Sequence, residues 1–331
     1  MKKTILTGIK PTGHPHIGNY IGAIKPCISL IREDYDSMYF VADYHALTLI
    51  KDGEQFKQLC YEVAATWLAL GLDPNKALFY RQSDIPEIFE LNWLLACSTS
   101  KGLMNRAHAY KGAVAENSKS GLTPDASINM GLYNYPILMA ADILIMRTDV
   151  VPVGRDQVQH VEMARDIALA FNKSYGDILT IPDYQVGQET GLIPGLDGRK
   201  MSKTYNNTIR LFSRPAELKK AVSQIVTDST APNAPKDPST STIFMIYREF
   251  ASPRDVESMG KRYLEGSISW GEAKQELFDT INQFLEGPRI IYEELMADPS
   301  RIEILLAEGA EKAHERVAPL MAEVRKAIGK P

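Results

Sequence analysis

Short apolar runs alternate with amphipathic stretches along the first part of the chain. Apolar runs at residues 4–8, 38–42 and 78–80 are typical of β-strands. Between them, residues 17–32 and 54–70 carry apolar side chains at helical spacing. Because strands alternate with helices, the pattern predicts a parallel sheet with helices on its faces.

The alternation continues and then stops. Residues 125–147 and 157–172 are predicted helices, and the apolar run at 150–153 between them is a predicted strand. From about residue 185 to 210 the chain is rich in glycine and polar residues. We therefore predict a loop there, because no apolar period continues through it.

The C-terminal part has a different pattern. Three prolines interrupt the chain between residues 232 and 238, and residues 254–328 are almost all compatible with helix. We predict an α/β fold with two domains. A doubly wound, Rossmann-like parallel-sheet domain at residues 1–212 is followed by an α-helical domain at residues 213–331.

Composition narrows the class of protein. The chain has 331 residues, 44% hydrophobic and 24% charged, as is typical of a globular protein. Its three cysteines are far apart, which argues against structural zinc, an iron–sulfur cluster or a disulfide scaffold and predicts no protein metal site. A reducing, cytoplasmic location is expected. No apolar run approaches a membrane span, so no membrane association is expected.

Charge gives no guide to partners. The formal net charge is −4, and the C-terminal region holds slightly more acidic than basic residues. Charge alone neither indicates nor excludes a nucleic-acid partner, because local patches matter more than the sum.

The first candidate motif lies at residues 15–19 (PHIGN), between the first predicted strand and the first predicted helix. In a doubly wound sheet, nucleotides bind in this crevice, and a helix N-terminus offers backbone N–H groups to phosphate. His16 can donate a hydrogen bond to a phosphate oxygen, and Gly18 allows a close approach to the backbone. An ordinary strand-to-helix turn is an equal alternative on these residues alone.

The second candidate motif lies at residues 200–204 (KMSKT), inside the predicted loop. Two lysines and two hydroxyls on a loop suit a reaction in which negative charge develops on a leaving pyrophosphate. A solvated basic loop is the alternative. The combination of both motifs, each in the expected structural context, favours the catalytic interpretation.

Together the motifs resemble the HIGH and KMSKS signatures of the class I aminoacyl-tRNA synthetases. Asn19 replaces the second histidine and Thr204 the last serine, and both retain hydrogen-bonding groups. The resemblance implies catalytic roles for Lys200, Lys203 and His16. It also implies an ATP site formed by Lys10, Pro11, Thr12, His16, Gly18, Asn19, Gly154, Asp156, Lys200, Met201, Ser202 and Lys203.

Residues 133–145 and 151–160 resemble the amino-acid-binding segments of the tryptophan-specific members of that class. Residues 42–48 and 309–313 match them as well, and the likeness runs from about residue 4 to 328. It implies a tryptophan site in which Tyr135 and Gln157 hold the α-amino group. The full implied set is Asp142, Tyr135, Met139, Gln157, His45 and Gly8.

The physical pattern of residues 133–145 bears on that assignment. Tyr135, Met139 and Asp142 are spaced i, i+4 and i+7, so they share one helix face. Asp142 is a lone carboxylate in an apolar run, and burying it unpaired would be costly. Its partner is either the indole N–H of a substrate or a basic residue elsewhere in the core. Periodicity alone favours the second, and the resemblance favours the first.

Three positions depart from the family pattern. Lys10 stands where relatives often carry glutamine, Leu6 where they carry phenylalanine, and Arg155 where they carry glutamate. These departures concern details of the pocket floor and its response to substrate analogues.

The resemblance implies a two-step reaction that uses ATP, Mg²⁺ on the triphosphate, L-tryptophan and tRNA(Trp), in a homodimer. Four alternatives stay open. A tyrosyl-tRNA synthetase shares both signatures, and a smaller nucleotidyltransferase shares the first. A regulatory paralogue would bind tryptophan or tRNA without charging it. A dehydrogenase fits the sheet, but the chain lacks a G-x-G-x-x-G turn after the first strand.

Overall fold

Five parallel strands form the central sheet of the computed structural model, which describes residues 2–31, 35–186 and 193–330, apart from the side chain of Asp156. In chain order they are β1 Lys3–Ile9, β2 Tyr35–Val41, β3 Leu78–Arg81, β4 Val150–Val153 and β5 Asp183–Val186. The spatial order is β3-β2-β1-β4-β5. The order reverses between β1 and β4, so a ligand-binding crevice is expected at the carboxyl ends of these two strands.

Helices surround the sheet and form the C-terminal region. A π-helical turn, Tyr20–Ile24, joins the first two helices, and 3₁₀ segments span Gln82–Asp84, Arg155–Gln157 and Lys203–Tyr205. In the described residues the α-helices are α1 Ile17–Asn19, α2 Lys25–Ser29, α3 Asp43–Ala46, α4 Gly53–Ala69, α5 Pro86–Ser98, α6 Lys101–Met104, α7 His108–Lys119, α8 Met130–Ile145, α9 Val158–Tyr175, α10 Pro215–Ser223, α11 Thr242–Tyr247, α12 Pro253–Glu265, α13 Trp270–Ala297 and α14 Ser300–Ala327.

Alternate residues of each strand enter two separate cores, because successive side chains point to opposite faces of a sheet. Met38 and Phe40 of β2 pack in the core formed with α5, α8, α9 and the second half of α14. Tyr39 and Val41 of the same strand pack in the core formed with α4, α10, α11, α12 and α13. Both faces are therefore covered, as the doubly wound fold requires.

The last helix returns to the sheet. A Cβ atom on Gly309 of α14 would lie 1.7 Å from the carbonyl oxygen of Phe79 in β3, so only glycine permits this approach. Arg316 of α14 also pairs with Asp36 of β2 at 2.6 Å. The C-terminal residues thus contribute to the packing of the α/β body, and a domain division at residue 212 stays a prediction.

The α/β class with a parallel sheet and a helical C-terminal region is confirmed. Each strand and helix predicted above is found, with shifted ends: the helical segment that begins at Ile17 ends at Ser29 rather than at residue 32. The prediction of loop from residue 185 was wrong at its start, where β5 Asp183–Val186 pairs with β4. This strand lies at the sheet edge and is largely exposed, so it lacks the apolar pattern of a buried strand. Residues 187–192 of the predicted loop lie outside the described residues.

No helix in the described part of the chain is long and apolar enough to span a membrane.

Candidate active site

The two signature segments lie side by side at the carboxyl end of β1. The backbone N–H of Ile17 donates to the Ile209 carbonyl at 2.9 Å, and Leu211 N–H donates to the Pro15 carbonyl at 3.1 Å. The segment that follows the KMSKT loop therefore runs antiparallel to the segment that contains His16. Backbone hydrogen bonds thus bring together two motifs that are distant in the sequence.

His16 is held as a neutral imidazole. Its side chain is buried, and Asn19 Oδ1 accepts its backbone N–H at 3.1 Å, which fixes the start of α1. Burial, with a further contribution from the positive charge of Lys203, lowers the pKa of His16 to about 4. Its Nδ1 atom has no hydrogen-bond partner among the described residues. The ring therefore has unused hydrogen-bonding capacity beside the crevice.

Two lysines line a pocket at the carboxyl end of β1. Lys203 donates to the Gly13 carbonyl at 2.7 Å, and partial desolvation lowers its pKa. Burial also lowers the pKa of Lys10. Both line one pocket, together with Ile9, Thr12, Gly13, Pro15, Asn19, Ile24, Val63 and Thr66. A pocket with two cations and little negative charge is suited to a polyphosphate.

Two further predicted ATP-site residues, Gly18 and Met201, lie where the two motifs contact each other. A Cβ on Gly18 would lie 3.0 Å from the His16 ring and 3.4 Å from Met201 Sδ, so Gly18 lets the two motifs pack together. Pro11 is buried next to Lys10, and Ser202 is half-buried. Lys200 is exposed on the loop surface and does not line the pocket.

Asp142 is not the lone carboxylate that its sequence context suggests. It is 2% exposed, and Gln82 Nε2 donates to its Oδ1 and Oδ2 at 2.8 and 2.9 Å. His45 Nε2 lies 2.9 Å from Oδ2. Burial raises the pKa of the Asp142 carboxyl, while the hydrogen bonds from His45 and Gln82 oppose the rise. Of the two partners expected for Asp142, the basic residue of the core is present as His45, with Gln82 as a further partner that the sequence did not indicate, and pairing with a substrate indole stays a prediction.

A second hydrogen-bonded chain lies next to this cluster. The Tyr135 hydroxyl is 2.5 Å from His160 Nε2, and His160 Nδ1 is 2.9 Å from Gln157 Oε1. Because the amide oxygen only accepts, His160 carries its proton on Nδ1 and accepts the Tyr135 O–H at Nε2. The Tyr135 ring lies edge-on to His45, with centroids 6.2 Å apart. Four of the predicted tryptophan-site residues thus lie in two hydrogen-bonded groups that touch through the rings of His45 and Tyr135.

The other predicted site positions have packing roles or lie at the edge of the described structure. A Cβ on Gly8 would lie 2.5 Å from the Phe40 ring, so this glycine makes room for the strand next to it. Met139 is half-buried against the core of α8 and α9. Gly154 is exposed where β4 ends. The side chain of Asp156 lies outside the described residues.

Comparison with known proteins decides the family. A family model described as tRNA synthetases class I (W and Y) matches residues 2–286. The chain belongs to this family of class I tRNA synthetases.

Relatives within the family resemble the chain over its whole length. The tryptophan–tRNA ligase of Pseudomonas aeruginosa is 53% identical over 99% of this chain and 74% of its own length. That of Neisseria meningitidis is 50% identical over 99% of this chain and 98% of its own. A solved tryptophanyl-tRNA synthetase from Campylobacter jejuni, complexed with ADP and tryptophan, is 43% identical, with a TM-score of 0.89 over 98% of this chain and 99% of its own.

Sequence reasoning missed three buried polar residues that hydrogen-bond to predicted site residues: Gln82, His160 and Asn207. Gln82 is fully buried directly after β3, at the edge of the sheet where ligands bind, so its position in the fold was a usable signal. His160 lies three residues after Gln157, one helical turn away. No pattern in the sequence distinguished Asn207 from a surface loop residue.

Proposed function

We propose that the chain is a tryptophanyl-tRNA synthetase that converts L-tryptophan and ATP to tryptophanyl-adenylate and pyrophosphate, then esterifies the 3′-terminal ribose of tRNA(Trp). The observation that supports it most is the presence of two chemically different sites at the carboxyl ends of the parallel strands. One is a cationic pocket beside a neutral His16, which begins directly after β1, and the other is a buried polar cluster around Asp142, whose partners His45 and Gln82 follow β2 and β3. The tryptophan–tRNA ligases among its relatives agree with this assignment.

Activation of the amino acid forms a bond between a tryptophan carboxylate oxygen and the α-phosphorus, and the bond to pyrophosphate breaks. The protein supplies positioning and charge stabilisation, so no covalent enzyme intermediate is needed. The ammonium of Lys203 now donates to the neutral carbonyl of Gly13. A phosphate oxygen is a stronger acceptor for this ammonium than a neutral carbonyl, because its negative charge adds a Coulomb attraction to the hydrogen bond. Lys203 therefore moves its hydrogen bond to the phosphates as they gain charge.

Mg²⁺ enters this scheme with the nucleotide. Among the described residues no group of three or more histidine, cysteine or acidic side chains is placed to hold a metal ion. The pocket offers the ammonium groups of Lys10 and Lys203 instead. We therefore assign Mg²⁺ to the phosphate oxygens of ATP, where it would neutralise part of their charge.

Tryptophan recognition follows from the unused acceptor positions. A carboxylate offers about four acceptor sites, and three contacts from Gln82 and His45 already use Asp142. The site that is left on Oδ1 takes the indole N–H. The Tyr135 hydroxyl donates to His160, so its oxygen is left to accept from the substrate ammonium.

The tRNA is assigned to the helical region at residues 213–331. Lys261, Arg262 and Arg325 pair with carboxylates of Glu257, Glu276 and Glu90, so they are weaker candidates for phosphate contacts. Lys219 and Lys220 are exposed on α10 and are better placed. Because its tRNA substrate is cytoplasmic, the protein is expected to act in that compartment.

A homodimer is supported by an exposed aromatic and aliphatic face near the amino-acid site. Trp93 of α5 is 69% exposed, one turn after Phe89, whose ring lies 4.9 Å from that of Tyr44. Leu47, Leu49 and Met130 are also exposed there. Exposed large apolar side chains on neighbouring elements are typical of a protein interface. In analytical ultracentrifugation, the Trp93→Asp variant should sediment with a mass closer to that of the monomer than the wild type does. If the wild-type protein itself sediments as a monomer, the homodimer is refuted.

The decisive test of the function is tRNA charging together with ATP–pyrophosphate exchange. Tryptophan should support both reactions, and tyrosine and phenylalanine should support neither. Exchange with tyrosine instead would identify a tyrosyl-tRNA synthetase. Binding of tryptophan without exchange would identify a regulatory paralogue.

A further inference from the structure

Asn207 is a buried amide four residues beyond Lys203, and it makes contacts to the backbone of the KMSKT loop. Its side chain is 2% exposed. Oδ1 accepts the Ser202 backbone N–H at 2.8 Å, and Nδ2 donates to the Lys200 carbonyl at 3.1 Å and to Asp197 Oδ1 at 2.6 Å. The N–H requires an acceptor and the two oxygens require a donor, so only one orientation of the amide satisfies all three.

The backbone around Asn207 closes the loop as well. Its carbonyl accepts the Leu196 N–H at 2.9 Å. A Cβ on Gly195 would lie 2.4 Å from Cγ and Nδ2 of Asn207 and 2.5 Å from its carbonyl oxygen. Gly195 therefore has no room for any side chain, and the two ends of the loop are in direct contact through Asn207.

Asn207 also joins the loop to the other signature. Two residues later, the Ile209 carbonyl accepts the Ile17 N–H, and Leu211 donates to Pro15. A shift of Asn207 would therefore move the lysine loop relative to His16. Misplacement of a catalytic group by about 1 Å is enough to reduce a rate by about 10²-fold.

We propose that Asn207 is a positioning residue for adenylate formation, which rests on the function proposed above. It holds the backbone from Lys200 to Ser202 so that Lys203, which follows directly, and His16 reach the same phosphates. It touches no substrate, and its effect is transmitted through the backbone of the loop.

The test measures exchange rate and tryptophan affinity together. Asn207→Ala should lower kcat for ATP–pyrophosphate exchange by about 10²-fold, the effect of a misplaced catalytic group. Equilibrium binding of tryptophan should stay at the wild-type value, because the polar cluster around Asp142 is separate. The KM for tryptophan should therefore also stay close to the wild-type value.

Asn172 provides a matched control. It is a half-buried asparagine with the same pattern of contacts, since its Oδ1 accepts the Leu179 N–H at 2.9 Å and its Nδ2 donates to the Leu179 carbonyl at 2.8 Å. Its hydrogen bonds within the described residues close a loop at the end of α9, at Ile178 and Leu179, rather than at either signature. Asn172→Ala should lower Tm and leave the exchange kcat unchanged. An equal loss of kcat in both variants would overturn the proposal, as would an unchanged kcat in folded Asn207→Ala.

A donor–acceptor exchange tests the contact itself if Asn207→Ala does not fold. Asn207→Asp keeps the acceptor for Ser202 but places a carboxylate against Asp197, so exchange should fall. Adding Asp197→Asn restores a donor between the two side chains but not to the Lys200 carbonyl, so the rate should recover in part, by about tenfold, the value of about 1.4 kcal/mol. No recovery in a folded double variant would contradict the proposal. Failure of wild-type protein to exchange with tryptophan would instead refute the proposed function.

Discussion

The nucleotide side and the amino-acid side of the candidate site are built differently. On the nucleotide side, backbone hydrogen bonds align two loops, and the cationic side chains Lys10 and Lys203 face an open pocket. On the amino-acid side, Gln82 and His45 are buried and each is hydrogen-bonded to the buried carboxylate of Asp142. One side has charge that is available to a ligand, and the other uses most of its hydrogen-bonding positions within the protein and leaves a few acceptors for the substrate.

This difference follows from the chemistry that each side serves. Charge on the phosphates grows as the reaction proceeds, so groups that shift their hydrogen bonds at that moment stabilise the transition state most. The indole and ammonium groups do not change during activation, so fixed acceptors serve them better. Substitutions should therefore reduce mainly kcat on the nucleotide side and mainly substrate affinity on the amino-acid side.

The largest effect is expected for Lys203. Lys203→Ala should lower kcat for ATP–pyrophosphate exchange by about 10²–10³-fold, as the loss of one oxyanion donor does, with little change in ATP binding. Lys200→Ala should cost less, because its side chain is exposed and lies outside the pocket lining. Exchange kinetics of both variants check the order. If Lys203→Ala exchanges at the wild-type rate, the claim that the nucleotide side acts mainly on kcat is wrong.

A smaller effect is expected for Asp142 on substrate affinity. Asp142→Ala should lower kcat/KM for tryptophan by about 10–10²-fold, from loss of a charge-assisted hydrogen bond of about 1.5–3 kcal/mol. The ratio of kcat/KM for tryptophan to kcat/KM for phenylalanine should decrease as well. Tm should also fall, because Gln82 and His45 lose their buried partner. Asp142→Asn keeps one acceptor and should cost less. If folded Asp142→Ala still prefers tryptophan as strongly, Asp142 is a structural residue only.

Substitution of His160 should weaken only the binding of the substrate α-ammonium group. His160→Phe removes the acceptor of the Tyr135 hydroxyl, and the loss of one such bond, about 1 kcal/mol, weakens tryptophan binding about fivefold. Indole-3-propionate has no amino group and should bind equally well to both enzymes. In a Tyr135→Phe background the His160 substitution should have little further effect. Equal weakening of both ligands would point to a packing defect instead.

The smallest effect concerns acid stability. The pKa of His16 is about 4 in the folded protein and 6.5 ordinarily, so the unfolded chain binds more protons between these values. The contribution of the neutral His16 to the free energy of unfolding is therefore complete above pH 6.5 and decreases as the pH falls toward 4. Between pH 7 and pH 5, the Tm of His16→Asn should therefore fall by about 2 °C less than the Tm of the wild type. Thermal unfolding at both pH values checks this, and identical losses would mean that His16 titrates normally.

Local sequence was a good guide to the buried elements and a poor one to the exposed edge. β2 and β3 are apolar on both faces and were predicted from that pattern. β5, with the sequence DYQV, pairs on one side and is mainly exposed, so nothing in its composition distinguishes it from loop. The long C-terminal helices were also predicted, but their periodicity does not specify which surface each covers.

The sequence by itself determined the alternation of strands and helices, the position of both signatures and the spacing of Tyr135, Met139 and Asp142, because each depends on residues close together in the chain. The tertiary structure decided the partners. Gln82 and His45 are 60 and 97 residues from Asp142. The neutral state of His16 depends on burial and on Lys203. Hydrogen-bond partners and pKa shifts arise from groups that only the folded chain brings within a few ångströms, and their identity leaves no periodic trace in the sequence.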